Sequence, residues 1–225
     1  YKMIILTQFA FGKDVTMDQV KVKGIRGIQK ADIAEAKRLG YVIKLLGIAK
    51  LVNGHIDVSV GPVLVPQTQP LAAIQNENNA VVVTGSAVGE TMFYGPGAGE
   101  LPTANSVLSD ITSVTKNIVM GTTGFSFNDY TNELELADDS EVVYPYYLSL
   151  QVLDKPGQML KLTEIMTEYD ASFRLITQTQ MNDRFARVSM VTHEMSESQL
   201  NHIVEKLNEL EEISVLAAYK VLTEK

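Results

Sequence analysis

The sequence predicts an α+β protein of two domains, and three observations support this. The first part of the chain has the pattern of two helices and two strand pairs, and a long helical pattern follows them. An acidic segment with few apolar residues follows at 128–141, a composition typical of a linker. The last part has the order strand, helix, strand, strand, helix, strand. We therefore expect a mixed-sheet domain at residues 1–117, a linker at 118–144 and a second domain at 145–225.

The chain opens with a strongly apolar helical pattern at residues 1–11. Ile5, Leu6 and Phe9 follow Lys2 at helical spacing, so we expect Lys2 to head an apolar stripe on a buried helix. Such a lysine is either a functional group or the solvated, frayed end of a helix. No capping residue and no initiator Met precede the pattern, which is typical of a fragment.

A helix at 31–39 and a hairpin follow. The helix is rich in Ala, Glu, Lys and Arg, and Gly40 stands where a left-handed C-terminal cap is expected. Residues 41–52 and 55–65 flank Asn53-Gly54, a dipeptide that favours a two-residue hairpin turn. The second arm alternates, which predicts one buried and one polar face: Ile56, Val58 and Val60 against His55, Asp57 and Ser59.

A second strand pair is predicted at 80–84 and 91–94, followed by a glycine-rich turn and a helix at 103–116. The turn contains Gly97-Ala98-Gly99, but Glu100 stands where G-x-G-x-x-G requires its last glycine. A purely structural turn before a helix explains these residues. The functional alternative is that the missing side chains let the backbone approach a flat group, such as a cofactor ring.

The order of elements in 145–225 is the ferredoxin-like βαββαβ plan, with both helices on one face of an antiparallel sheet. Asp154-Lys155-Pro156-Gly157 lies between its first strand and first helix. Asp154 suits an N-cap, so the segment is consistent with a simple helix start. Alternatively, free N–H groups at Gly157, Gln158 and Met159 hold a carboxylate while Asp154 takes an ammonium, the two charged groups of a free amino acid.

Composition excludes several classes of function. The net charge is −8 and the sequence pI about 4.9, with no basic cluster, so nucleic acid is not an expected partner. The chain has no cysteine, and its three histidines have no companions at metal-ligand spacing, so we expect no metal site. No apolar run has membrane-spanning length. We expect a cytoplasmic protein.

Short blocks of residues, in order along the first 117 residues, resemble the substrate domain of homoserine dehydrogenase. They are Lys2-Met3-Ile4-Ile5-Leu6, Gly24-Ile25-Arg26-Gly27-Ile28, Leu64-Val65-Pro66 with Pro70-Leu71-Ala72, Asn79-Ala80-Val81, and Tyr94-Gly95-Pro96-Gly97-Ala98-Gly99 with Pro102-Thr103-Ala104. Residues 145–225, with Asp154-Lys155-Pro156-Gly157 after the first strand, are similar to ACT domains. These domains bind amino acids, and many homoserine dehydrogenases carry one at the C-terminus.

The resemblance implies an enzyme that interconverts L-aspartate 4-semialdehyde and L-homoserine with NADP or NAD, on the route to threonine and methionine. It aligns Lys2 with the lysine that ends the family motif D-A-x-x-K, which makes Lys2 the catalytic residue. It places Gly97, Ala98 and Gly99 against the cofactor. In such proteins the substrate-holding carboxylates and the Rossmann domain precede the position of residue 1. Lys23 departs from the family, whose members often carry an acidic residue there.

The resemblance also implies a set of partners. These are a small-molecule substrate, a regulatory amino acid, for which threonine is expected, and further copies of the chain in a homo-oligomer. The regulatory ligand is expected to contact Asp154, Gly157, Gln158 and Met159. Two other hypotheses stay open: a stand-alone amino-acid sensor without catalysis, and a structural oligomerisation module.

Overall fold

A computed structural model describes residues 1–124 and 133–223. The α-helices in these ranges are α1 Lys2–Phe11, α2 Lys30–Arg38, α3 Glu100–Met120, α4 Gln158–Glu168 and α5 Glu197–Asn208. The strands are β1 Lys21–Val22, β2 Tyr41–Val52, β3 His55–Pro66, β4 Asn78–Gly85, β5 Gly89–Pro96, β6 Val143–Tyr144, β7 Tyr146–Leu153, β8 Phe173–Gln180, β9 Phe185–Thr192, β10 Met195–Ser196 and β11 Ile213–Val221.

The chain folds as two compact units that divide the sequence differently from the predicted domains. One unit combines residues 1–67 with residues 130–225, and the other contains residues 68–129. Part of the predicted linker is regular structure, because α3 continues to Met120 and β6 begins at Val143. Linker residues 125–132 and the last two residues of the predicted second domain lie outside the described residues.

The larger unit contains the predicted ferredoxin-like order, β7-α4-β8-β9-α5-β11, and its α+β class is confirmed. These four strands form the antiparallel sheet order β11-β7-β9-β8. Residues of α4 and α5 pack together on one face of this sheet around a buried core that includes Leu148, Leu150, Leu162, Met166 and Ile203. Both helices therefore lie on one face, as the sequence predicts.

The same sheet continues through β11 into the N-terminal part of the chain. Strand β11 pairs in parallel with β3, with Val221 opposite Leu64, and β3 also pairs with β1 and β2. The result is a single seven-stranded mixed sheet. Helix α2 packs on its second face, where Ala36 contacts a buried cluster that includes Tyr147 and Tyr219. The face that the ferredoxin-like plan leaves open is thus covered by the chain itself.

The hairpin β2–β3 forms at the predicted turn, with Asn53 and Gly54 at φ of 51° and 87°. The expectation that one face of β3 is polar and solvent-exposed is wrong, however. Asp57 and Ser59 are buried, as are Ile56 and Val58. Both edges of β3 are paired, and residues 135–137 also bond to Ile56 through N–H···O contacts of 2.8 and 2.9 Å. Alternation indicates two faces of a strand, but it does not reveal what covers the second one.

The smaller unit contains the hairpin β4–β5, with Gly85 opposite Gly89, and helix α3. Both predicted strands are present, but α3 begins at Glu100 instead of Thr103 and extends past Lys116. Pro102 is the third residue of the helix, a first-turn position where a missing N–H removes no helical bond. Gly121, at φ 69°, ends the helix in the left-handed conformation.

A buried ion pair connects α2 to the ferredoxin-like part. Arg187 on β9 donates to Asp32 Oδ1 at 2.7 Å, to Ser149 Oγ at 2.8 Å and to Gln29 Oε1 at 2.7 Å. The Asp32 side chain is completely buried and that of Arg187 is 8% exposed. Burial, followed by the charge of Asp32, raises the pKa of the nearby Tyr147 phenol to about 12. The network satisfies charges that would otherwise be buried without partners.

Replacing Arg187 with Met should lower the free energy of unfolding by about 3–5 kcal/mol, because the Asp32 carboxylate then stays buried without its cation. The double variant Arg187→Met/Asp32→Leu should recover most of that loss, since no unpaired charge remains. Urea denaturation of the wild-type chain and both variants measures the difference. Lys206→Met, which removes an exposed ion pair with Glu209, is the control and should have little effect. An Arg187→Met variant as stable as this control would contradict the prediction.

Candidate functional site

Helix α1 presents Lys2 to solvent. Its buried side is formed by Met3, Ile4, Thr7 and Phe11, of which Thr7 is completely buried. The predicted stripe faces outward instead, because Ile5, Leu6 and Phe9 are 62%, 38% and 54% exposed. The expectation that Lys2 heads a buried stripe is therefore wrong.

The reason lies in the composition of the helix. Ile4, Thr7 and Phe11 lie at spacings of three and four residues on the side of α1 opposite Ile5, Leu6 and Phe9, so two opposite sides of the helix carry apolar residues at helical spacing. Periodicity cannot select between them; the packing partner does. Met3, Ile4 and Phe11 pack against Val15, Val20, Ile56 and Val58 at the hairpin end of the sheet.

The glycine turn lies in the smaller unit, and its geometry accounts for two of its glycines. A Cβ on Gly97 would overlap the Asn79 side-chain amide, and Gly99 has a φ of 116°. Gly97 donates its N–H to Glu77 O at 3.0 Å, and Gly99 is the N-cap of α3. Gly97, Ala98 and Gly99 are all exposed. Three consecutive residues thus present backbone with no side chain larger than a methyl group, which fits close approach by a flat cofactor.

The predicted amino-acid site lies at the start of α4, with one correction. The N-cap is Gly157, at φ 90°, and Asp154 is not the cap. Asp154 instead accepts a hydrogen bond from Gln178 Nε2 at 3.3 Å. The first helical bond runs from Lys161 N to Gly157 O, so the N–H groups of residues 158–160 have no helical acceptor. The predicted donors at Gln158 and Met159 are therefore present at the helix start.

Gln158 is the unusual residue of this segment. It is 8% exposed, and its Oε1 atom has no hydrogen-bond partner among the described residues. Met159 is half-buried and packs against the core between the sheet and helices α4 and α5, so its side chain has a packing role. A buried amide oxygen without a donor is uncommon in folded proteins. Gln158 Oε1 is thus an unused hydrogen-bond acceptor next to the free N–H groups at the helix start.

A group of charged residues that sequence analysis missed lies where β3, β11 and α5 meet; we call Lys21, Asp57, Asp139, Glu197 and Lys220 the polar cluster. Lys21 bonds to both Asp139 and Glu197. Lys220 Nζ is 3.8 Å from Asp57 Oδ2 and 3.5 Å from Glu197 Oε2. These residues are far apart in the sequence, and no local pattern distinguishes them from surface charges.

The polar cluster shifts the protonation of its neighbours. Tyr144 donates to Asp57 Oδ2 at 3.1 Å, and burial followed by the Asp57 charge raises the pKa of this phenol well above its usual range. Burial alone would lower the pKa of Lys21, but the hydrogen bond to Asp139 and the charge of Glu197 outweigh it and raise this pKa. The cluster therefore brings two lysines against three carboxylates, as expected of a structural network, although Asp57 Oδ1 is buried without a hydrogen-bond partner among the described residues.

In residues 1–124 and 133–223, no group of three or more His, Asp or Glu side chains is arranged to hold a metal ion. None of the helices within them is long and apolar enough to span a bilayer.

Two family models match the chain in the regions described above. Residues 1–112 match the model for homoserine dehydrogenase, and residues 146–212 match the model for the ACT domain. The chain is 44% identical over 223 residues to homoserine dehydrogenase of Bacillus subtilis and 40% identical over 222 residues to that of Lactococcus lactis. These alignments cover 98% and 99% of this chain and 52% of each relative.

Solved structures agree with the sequence comparison. A homoserine dehydrogenase from Thiobacillus denitrificans superposes with a TM-score of 0.89 at 29% identity, over 98% of this chain and 52% of that one. One from S. aureus gives a TM-score of 0.69 at 28% identity, over 100% of this chain and 52% of that one. The chain belongs to the homoserine dehydrogenase family and carries an ACT domain. It spans about half the length of these relatives and corresponds to their C-terminal part.

Gly97→Ala should distort the glycine turn, because the added Cβ overlaps the amide of Asn79. The double variant Gly97→Ala/Asn79→Ala should restore the turn, since the overlapping group is removed. Amide hydrogen exchange in β4, β5 and the first turn of α3 measures the effect. Gly95→Ala is the matched control, because a Cβ there meets nothing within 4 Å. Equal exchange in the Gly95 and Gly97 variants would show that the overlap does not constrain the turn.

Proposed function

We propose that the intact protein is a cytoplasmic homoserine dehydrogenase that interconverts L-aspartate 4-semialdehyde and L-homoserine with NADP or NAD, for threonine and methionine biosynthesis. The observation that carries this proposal is the 44% identity to homoserine dehydrogenase of B. subtilis across 98% of the chain. Lys2 is the proposed catalytic residue, and Gly97, Ala98 and Gly99 are the proposed cofactor contacts. Asp154, Gly157, Gln158 and Met159 form the proposed regulatory site.

The role of Lys2 is proton transfer. The bound nicotinamide cofactor supplies the hydride that reduces the aldehyde carbon. The Lys2 ammonium donates a proton to the aldehyde oxygen, which becomes the hydroxyl of homoserine, and accepts that proton in the reverse direction. Two features of the structure support this role: Lys2 is exposed, so a substrate can reach it, and it lies in the first turn of α1.

Lys2→Ala in the intact enzyme should lower kcat by about 10²- to 10⁴-fold, the usual contribution of a positioned general acid. Folding should be unaffected, because the Lys2 side chain is exposed. NADPH or NADH oxidation with aspartate semialdehyde measures turnover, and circular dichroism measures folding. Lys30→Ala is the matched control, because Lys30 is an exposed lysine at the first position of α2. Near-normal turnover of Lys2→Ala would reject the catalytic assignment.

Regulation is proposed to occur by an amino acid, with threonine the first candidate, at the start of α4. The N–H groups of residues 158–160 offer donors for the ligand carboxylate at the positive end of a helix dipole. Gln158 Oε1 and the Asp154 carboxylate offer acceptors for its ammonium. The two ligand charges thus have complementary groups on one segment.

Asp154→Asn and Gln158→Met should each weaken threonine binding about 10- to 100-fold, because the first removes the negative charge facing the ligand ammonium and the second removes an acceptor oxygen. Gln158→Met should not reduce the stability of the free protein, since it replaces an unpartnered buried oxygen. Isothermal titration of the intact protein with threonine, isoleucine, methionine and valine identifies the ligand. Asp170→Asn, beyond the opposite end of α4, is the control. Binding of none of the four amino acids would reject the regulatory proposal.

A homo-oligomer is also proposed, and the sheet edges support it. Within the described residues β2 pairs with β3 and β8 pairs with β9, and each presents its other edge without a strand partner. Long edges of this kind are suited to pairing with a second copy. Equilibrium sedimentation of the intact protein tests this: a monomer at micromolar concentration would reject it.

A further inference from the structure

Helix α1 approaches strand β2 very closely near its first turn. Gly47 lies in the middle of β2, opposite Val60 of β3. A Cβ built on Gly47 would overlap Sδ and Cγ of Met3 and would stand 3.6 Å from its Cε. The Met3 side chain therefore occupies the volume that any other residue at position 47 would fill.

The backbone at Gly47 does not explain why a glycine is present. Its φ is not among the positive values found at other glycines of the chain, so an L-residue fits the local conformation. A glycine inside a strand weakens the strand and commonly marks a close approach of another segment. By contrast, a Cβ on Gly24 or Gly27 meets nothing within 4 Å. Gly47 is therefore needed because the Met3 side chain leaves no room for a Cβ atom at this position.

Met3 is the neighbour of Lys2 in the first turn of α1. Ile4 packs in the same cluster as Met3, whereas Ile5 and Leu6 are exposed. Because the overlap includes Cγ, a Cβ at position 47 requires Met3 to change its χ1 rotamer or to shift its backbone, and either change disturbs the turn that carries Lys2. To restore ordinary van der Waals separation, Met3 and a new Cβ would have to separate by about 1 Å or more.

We propose that Gly47 is a positioning residue for Lys2: by leaving room for Met3, it fixes the first turn of α1 against β2 and thereby the place of the Lys2 ammonium. This proposal rests on the proposed catalytic role of Lys2. A misplacement of about 1 Å at a reacting group can lower a rate about 10²-fold. Gly47 touches neither substrate nor cofactor in this scheme and acts through Met3.

The experiment uses the intact enzyme with Gly47→Ala and Gly47→Val, and Gly27→Ala as the matched glycine control. We expect kcat to fall at least about tenfold for Gly47→Val, with a smaller fall for Gly47→Ala, while KM changes little because the loss is in positioning the reacting group. Met3→Ala/Gly47→Ala should return kcat to the value of Met3→Ala alone, since the overlap is gone. A kcat of Gly47→Val equal to that of Gly27→Ala, or no rescue by Met3→Ala, would overturn the proposal.

A double-variant cycle tests whether Gly47 acts through Lys2. If it does, Lys2→Ala/Gly47→Val should be no slower than Lys2→Ala, because the misplaced group is already absent. Independent, multiplicative losses would mean that Gly47 affects turnover by general destabilisation, and the proposal would fail.

Amide hydrogen exchange separates failure of this proposal from failure of the proposed function. Gly47→Val should increase exchange at residues 5–8 of α1, beginning with the Ile5 N–H that bonds to Tyr1 O at 3.1 Å. Unchanged exchange would overturn the positioning role whatever Lys2 does. Near-normal turnover of Lys2→Ala would instead overturn the proposed function and the link to Lys2, and the exchange data would still decide whether Gly47 holds α1.

Discussion

The parallel pairing of β11 with β3 is the contact on which the larger unit depends. It is short, with Lys220 opposite Val63 and Val221 opposite Leu64, and Leu222 N adds a bond of 2.8 Å to Leu64 O. Because of it, the strands of the ACT domain and those of the N-terminal hairpin share one sheet. Both edges of β3 become occupied, and both of its faces become interior.

The buried polar groups follow from that arrangement. Asp57 lies on a face of β3 that would be solvated in an isolated hairpin, so it needs Tyr144 and Lys220 as partners. Arg187, on the second face of the ACT sheet, needs Asp32 because α2 covers it. Asp32 and Asp57 lie in the homoserine dehydrogenase region, and Arg187 lies in the ACT domain. Residues 1–67 of the homoserine dehydrogenase region and the ACT domain therefore share one sheet and one buried cluster, and within the larger unit they are not separate bodies.

The proposed functional groups lie outside this core, at helix starts. Lys2 is at the first position of α1, Gly99 is the N-cap of α3 and Gly157 is the N-cap of α4. Helix starts combine free N–H groups with backbone held by the rest of the helix, so they can bind anions and place a side chain with little freedom. Two of these helix starts contact the sheet. Helix α1 does so through Met3, which lies against Gly47, and α4 does so through the buried core beneath it.

Much of the fold could be predicted from local sequence. The Asn53-Gly54 turn, the left-handed Gly40 and the strand and helix order after residue 145 are present because turn chemistry and periodicity act over a few residues. Lys2 and the start of α4 stay predictions that come from motifs, whereas Gly47 and the polar cluster belong to no local motif. Their partners are distant in the chain: Met3 is 44 residues from Gly47, and Asp139 and Glu197 are 118 and 176 residues from Lys21.

The sequence by itself determined the elements, the family and the chemical types at the proposed sites. Only the tertiary structure decided which face of α1 is buried, because opposite sides of this helix both carry apolar residues and the hairpin contacts one of them. It also decided the burial of Asp57 and the division into compact units, because strand pairing across more than 150 residues leaves no mark in the local pattern. The physical reason is that periodicity records a side chain's direction, whereas burial depends on what lies in that direction.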